Sequence, residues 1–288
     1  MRKRLILFAF ILLPVSLVLY SCTNEIKTPD LLPQSDNCME VSDPENRGTN
    51  DEPQVPPDFS GYDAGFITSP ANGEMAAACI TANGNSYLVI RQQDNATGNV
   101  SYTPVCVYPN EEDKISNLKW SPDGVRIAFL EQESSDGMGQ YCKVSVFDPA
   151  KSIKCDARMF WLDETPSPTV EWFPDSDRLL IASRPVVIFT CSTGKSIWVS
   201  QDTPAQNEDF AADEIAKSMD ASLSPGGHYI AYELIGDKCI YLMLYDVDTQ
   251  KRCEWGKVET LHEMGVGSQK PVWVSDSSVK WYDKIYNR

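Results

Sequence analysis

The chain has 288 residues with 25 basic and 41 acidic side chains, a net charge of −16 and a pI near 4.5, a balance that repels phosphate backbones and argues against a nucleic-acid partner. Only two histidines are present and no two cysteines form a CxxC pair, so zinc-ligand spacing is missing and no cofactor is expected. Nine cysteines in an acidic chain become informative once the compartment is known.

The N-terminus decides the compartment. Arg2, Lys3 and Arg4 precede an apolar run from Leu5 to Leu19, broken only by Pro14 and Ser16, which reads as an export signal over residues 1–21. The run is shorter than the roughly 20 residues needed to span a bilayer. It ends in Leu19-Tyr20-Ser21-Cys22, which resembles a bacterial lipobox. That resemblance implies cleavage before Cys22, lipidation of Cys22, and a protein held in the bacterial cell envelope by its lipid, on the periplasmic or extracellular face. Removing the signal leaves 22 basic against 41 acidic side chains, a net −19. The exported surface then favours solubility, cations or basic protein patches.

Residues 22–57 are rich in Pro, Asp, Glu, Asn and Ser and lack apolar periodicity, so they read as an acidic tether that cannot offset its own ordering entropy. Cys38 is placed to pin that tether to the folded body. With Cys22 taken for lipid, the eight other cysteines form an even set, as expected of disulfides in an exported protein. Cys142–Cys155 and Cys239–Cys253 are the favoured pairs, because each occupies matching places on neighbouring strands.

From residue 58 to residue 288 short apolar strands alternate with Gly, Pro, Asn and Asp, and one helical turn is expected near Asp209 to Lys217. Five tight turns recur. Thr68-Ser69-Pro70-Ala71-Asn72-Gly73 is followed by Trp120-Ser121-Pro122-Asp123-Gly124, Trp172-Phe173-Pro174-Asp175-Ser176, Leu223-Ser224-Pro225-Gly226-Gly227 and Trp273-Val274-Ser275-Asp276-Ser277. Their first residues lie 52, 52, 51 and 50 positions apart, the mark of one supersecondary unit copied along the chain. Proline presets φ near −65°, aspartate accepts local backbone donors and glycine closes the reversal. Ser69, Pro70, Gly73, Ser121, Pro122, Asp123, Gly124, Pro174, Asp175, Ser224, Pro225 and Gly227 are therefore assigned a structural role.

The strand leaving each turn is apolar on both faces, as in Ile127-Ala128-Phe129-Leu130, Leu179-Leu180-Ile181-Ala182 and Ile230-Ala231-Tyr232, so each is expected to be covered by a sheet on either side. Two further strands follow, separated by Asp246-Val247-Asp248-Thr249-Gln250 in the fourth unit and by Asp148-Pro149 in the second. Four strands per unit of about 50 residues give an all-β fold, a β-propeller of about five blades with the last one incomplete. Ring closure then calls for strands from residues 38–60, or the final blade is short.

Ser121-Pro122-Asp123-Gly124 with Ile127-Ala128-Phe129 resembles the WD-like repeat of TolB-type β-propellers, and the match is good again from Ser224 to Tyr232. The resemblance implies an envelope module that works through protein contacts. The remaining motifs are weak. Ser192-Thr193-Gly194-Lys195-Ser196 has the tail of a phosphate loop, but Phe189 stands where its first glycine belongs, so a hairpin turn is expected. His228 and His262 have no acid or cysteine at triad or ligand spacing, Gly265-Val266-Gly267-Ser268 reads as a loop, and Asp246 with Asp248 lacks the ligand spread that calcium needs. The expectation is a non-catalytic module binding an envelope protein, peptide or glycan, with no catalytic or metal residues. The alternative is an enzyme that uses the propeller as a scaffold for acting on envelope polysaccharide or peptide.

Overall fold

The computed structural model describes residues 38–40 and 57–288, except for 63–64, 72, 109–113, 136–138, 162–167, 184, 200–216, 237–238 and 260–268. The signal, Cys22, most of the tether, the expected helical turn up to residue 216, His262 and Gly265 to Ser268 lie outside the described residues. Lys217 is already part of a strand.

Among the described residues, twenty strands form five antiparallel sheets. After β1 (Cys38–Glu40), the first blade is β2 (Ile67–Thr68), β3 (Met75–Ala82), β4 (Asn85–Gln93) and β5 (Val100–Tyr108). The second is β6 (Lys114–Trp120), β7 (Ile127–Ser135), β8 (Gly139–Asp148) and β9 (Ile153–Trp161). The third is β10 (Thr169–Trp172), β11 (Arg178–Ala182), β12 (Val187–Thr190) and β13 (Lys195–Trp198). The fourth is β14 (Lys217–Leu223), β15 (Tyr229–Ile235), β16 (Cys239–Asp246) and β17 (Lys251–Glu259), and the fifth holds three strands, β18 (Val272–Ser275), β19 (Ser278–Trp281) and β20 (Lys284–Asn287). Within each blade the strands follow chain order, so only hairpins are needed.

The two-sided apolar strands explain the stacking. In β7, Ile127 and Phe129 pack with Leu88, Ile90 and Val105 of the first blade. Ala128 and Leu130, on the opposite face, pack with Leu179, Ile181 and Phe189 of the third. Leu180 and Ala182 then meet Ile230 and Tyr232 of the fourth, and Ala231 meets Val279 and Trp281 of the fifth. Each blade pair thus has its own core, a consequence of strands whose side-chain period of two puts apolar groups on both faces.

The two ends of the series differ. The first blade's outer face is covered by its own chain, where the 3-10 turn Phe59–Gly61 buries Phe59 against Tyr87, Ala78 and Val89. The fifth blade leaves Val272, Val274 and Ile285 58%, 60% and 60% exposed. Among the described residues the sheets do not close into a ring. Of the segment expected to close it, β1 instead pairs antiparallel with the outer edge of β9 and makes the second blade five-stranded.

Neither favoured disulfide forms. Cys142 stands opposite Phe160, and Cys239 stands opposite Glu259, so each expected partner is several residues out of register. A bridge requires Cα atoms within about 7 Å, which such an offset exceeds. Cys142 and Cys239 are free thiols, which excludes bridges to Cys155 and Cys253. Cys155 is disulfide-bonded, and the residue across from it in the β1–β9 ladder is Cys38.

Candidate functional site

The repeated turns lie at the end of the first strand of each blade and touch one another in succession. Ser121 Oγ accepts from the Arg126 amide at 3.0 Å, and Ser224 Oγ accepts from the Tyr229 amide at 3.1 Å, so each serine ties the outgoing strand to the incoming one. Asp123 Oδ1 accepts from the Val125 amide, while Asp175 Oδ1 accepts from the amides of Asp177 and Arg178. Gly73, Gly124 and Gly227 have φ of +71°, +68° and +76°. Ser176 takes that place in the third turn at φ +61°, and its hydroxyl accepts from the Asp123 amide of the turn before it at 3.0 Å.

Further links complete the rail. Ser69 Oγ donates to the Gly124 carbonyl at 3.1 Å, a Cβ at Gly227 would lie 2.7 Å from Pro174 Cδ, and the Gly226 amide donates to Asp276 Oδ1 at 2.6 Å. Pro70, Pro122 and Pro225 occupy their turns as expected. All the assigned turn residues therefore fall on one structural rail, and none of them gathers into a reactive cluster.

A second link was not apparent in the sequence. The tryptophan before each turn donates its indole N–H to a carbonyl two residues before the turn serine of the preceding blade. Trp120 reaches Ile67 at 2.7 Å, Trp172 reaches Lys119 at 2.9 Å, and Trp273 reaches Ser222 at 3.1 Å. The fourth turn has Leu223 there. Its backbone amide instead donates to Glu171 Oε2 of the third blade at 3.0 Å, so the amide takes the place of the missing indole N–H and the carboxylate that of the carbonyl.

These bonds place the first strands side by side, and the polar groups on them form the candidate surface. β6 and β14 each carry a bulge, with Asn117 at φ +53° and Asp220 at φ +51°. Both lie four residues before the turn serine. Asn and Asp tolerate the left-handed region best among residues with a Cβ, and bulges re-aim side chains beside functional surfaces. An Asn or Asp at that fixed offset was the available sequence signal.

Near the start of β18, Lys270 Nζ donates to Glu171 Oε1 at 2.5 Å, tying the fifth blade to the third. Fully buried Glu233 accepts from the Trp281 indole at 2.6 Å and the Gln269 amide at 3.0 Å. Burial, with the negative charges of Glu233 and Asp220 nearby, pushes the Tyr282 hydroxyl up to about 12, so it stays a proton donor at neutral pH. The result is a fixed set of amide, carboxylate, phenol and ammonium groups distributed over blades two to five.

A separate charged cluster is structural. Glu131 is fully buried between the first two blades, with Lys154 Nζ 2.6 Å from Oε1 and Lys143 Nζ 3.0 Å from Oε2. Asp156 lies 3.4 Å from Lys143 and 3.5 Å from Lys154. Burial raises the Asp156 carboxyl, but the two lysines and the Ser145 hydroxyl outweigh it and hold the carboxyl below its ordinary value.

The residues Ser192 to Lys195 form the hairpin between β12 and β13, and Ser192 Oγ donates to Asp177. Asp246 Oδ1 is occupied by the amides of Asp248 and Thr249 in the β16–β17 turn, and His228 pairs with Asp248 at 2.9 Å on the surface. Among the described residues no group of three His, Cys, Asp or Glu side chains is arranged to hold a metal ion.

No protein-family model matches the chain, and no curated protein sequence matches it. Among solved structures, it is similar to TolB from Acinetobacter baumannii, at 13% identity and TM-score 0.41, over 75% of this chain and 47% of that one. An oligogalacturonate lyase in complex with manganese is also similar, at 12% identity and TM-score 0.43, over 67% of this chain and 53% of that one. So is a prolyl endopeptidase, at 12% identity and TM-score 0.40, over 64% of this chain and 30% of that one. The chain spans about half the length of the first two and less of the third.

Proposed function

We propose that the protein is a lipid-anchored, exported propeller of the bacterial cell envelope that acts by binding and not by catalysis. The observation that supports this reading is the surface on the first strands. Left-handed bulges at Asn117 and Asp220, with Glu171, Lys270 and Tyr282, present fixed polar groups on strands locked from blade to blade. Such a surface needs no activated group to recognise a partner, since side chains on rigid strands lose little entropy on binding. A protein or peptide segment is the preferred ligand, and an envelope glycan is the less favoured one.

Two experiments test the reading. Cys22→Ser should release the protein from membranes, and mass spectrometry of the mature wild-type chain should find lipid on Cys22; an unmodified N-terminus at another residue removes the anchor. Crosslinking and affinity capture from envelope extract, run beside lyase and hydrolase screens on envelope polymers, test binding against turnover. A saturable partner whose capture weakens in Asp220→Ala supports the proposal. Turnover that survives rigorous purification, with no stable partner recovered, replaces it with the enzyme reading.

A further inference from the structure

Among the described residues the fifth blade has three strands. The other four sheets have at least four strands, whereas this one stops at β20, whose outer edge pairs with no described strand. A free edge presents alternating N–H and C=O groups, which are a template for another strand. The molecule already uses this device once, since β1 adds to the outer edge of the second blade in antiparallel register.

The chemistry around the edge is selective. Val272, Lys280 and Ile285 are paired across β18, β19 and β20, forming one row on the open face of the blade. Ile285 is 60% exposed at the end of that row, and Lys284, also exposed, points to the other face beside it. Between Val272 and Arg288 the basic groups Lys280, Lys284 and Arg288 outnumber the acidic Asp276 and Asp283, in a chain whose net charge is −16. Asp276 is taken by the Gly226 amide, and Arg288 lies over the Tyr229 ring at 4.2 Å. Lys280 and Lys284 form no ion pair with a described residue.

We propose that β20 receives an extended, acidic peptide as a fourth strand, with an aliphatic side chain beside Ile285 and a carboxylate beside Lys284. This rests on the binding reading above and names the class of partner. Main-chain hydrogen bonds supply affinity in strand addition, and alternate side chains supply the choice of sequence. A second copy of the same edge is a poor match, because it sets Lys284 and Lys280 against a strand of like charge, and like charges directly opposed destabilise a pair.

The test is fluorescence anisotropy of the whole soluble chain with a capped, labelled Thr-Glu-Val-Glu-Val-Thr probe. Binding should be saturable and weaken as salt rises from about 0.05 M to about 0.5 M, where the screening length shrinks severalfold. Lys284→Glu should lower affinity about fivefold, the size of one cross-strand charge pair, and should improve binding of the Lys-for-Glu probe. A probe methylated on its backbone nitrogens should not bind. Equal binding of the methylated probe, or no loss in Lys284→Glu, overturns the proposal. A dimer in sedimentation that Lys284→Glu dissolves also overturns it in favour of self-pairing. An envelope partner captured equally well by the wild type and Lys284→Glu discards this edge while leaving the binding reading standing.

Discussion

At Gly124 a single added methyl group meets three obstacles. The backbone sits at φ +68°, and a Cβ there would collide with Ser69 Oγ and lie 2.6 Å from Ala71 Cβ and 2.7 Å from the Ala71 amide. Gly73 shares the φ, at +71°, but has only Thr68 Cγ2 near it, at 4.0 Å. Gly124→Val should therefore lower unfolding free energy by about 1–3 kcal/mol or more, and Gly73→Ala by about 1 kcal/mol. Urea denaturation of both variants separates backbone strain from the contact between turns. A residue-scale prediction of another kind concerns Glu131, where Glu131→Gln leaves Lys143 and Lys154 facing only Asp156 in a buried interface. Breaking a buried pair costs about 3–5 kcal/mol, and the remaining Asp156 puts this case near the lower figure. An unchanged urea midpoint would show that the cluster is solvated.

At the scale of single elements, local chemistry was readable and pairing was not. Proline, aspartate and glycine specify a turn from their own backbone preferences, so Ser121 to Gly124 was legible without any knowledge of neighbours. Strand register is set where the hairpins begin. Asp148 opposite Ile153 and Asp246 opposite Lys251 already leave Cys142 and Cys239 several residues from their expected partners, and the one-residue shifts at Val144/Ser145 and Leu242/Met243 add a single position to each offset. The same holds for Cys38-Met39-Glu40, three residues whose pairing with β9 no periodicity could announce. Trp273 gives the element-scale test. Trp273→Phe keeps an aromatic ring but deletes the bond to the Ser222 carbonyl, a loss of about 0.5–1.5 kcal/mol. Because β18 to β20 have a neighbouring blade on one side only, amide exchange should accelerate there and stay unchanged in the first two blades. Equal acceleration everywhere would mean that all five blades open as one unit.

Across the whole molecule, the periodic turns revealed the blade number because every blade solves the same packing problem. The candidate surface was less legible, since it is assembled from Glu171, Asp220, Lys270 and Tyr282, residues up to 111 positions apart with no shared motif. The cores between blades also predict an alkaline limit. Burial pushes the thiols of Cys106 and Cys142 up from 9.0 to about 12. The folded state then holds protons that the unfolded chain releases, so their stabilising contribution is complete below pH 9 and is lost as pH rises toward about 12. Melting temperatures measured upward from pH 8 should fall beyond pH 9, and Cys142→Ala should make that fall shallower. A slope identical to the wild type would show that the Cys142 thiol is hydrated.

The pairing of β1 with β9 also determines where force enters the molecule. Tension applied at β1 would enter at Cys38–Glu40, on the rim of the second blade and not on the covered face of the first. Disulfide-bonded Cys155 on β9 reinforces the loaded rim covalently. Force applied at β1 would therefore load the second blade first and reach the fifth, three blades further along, last.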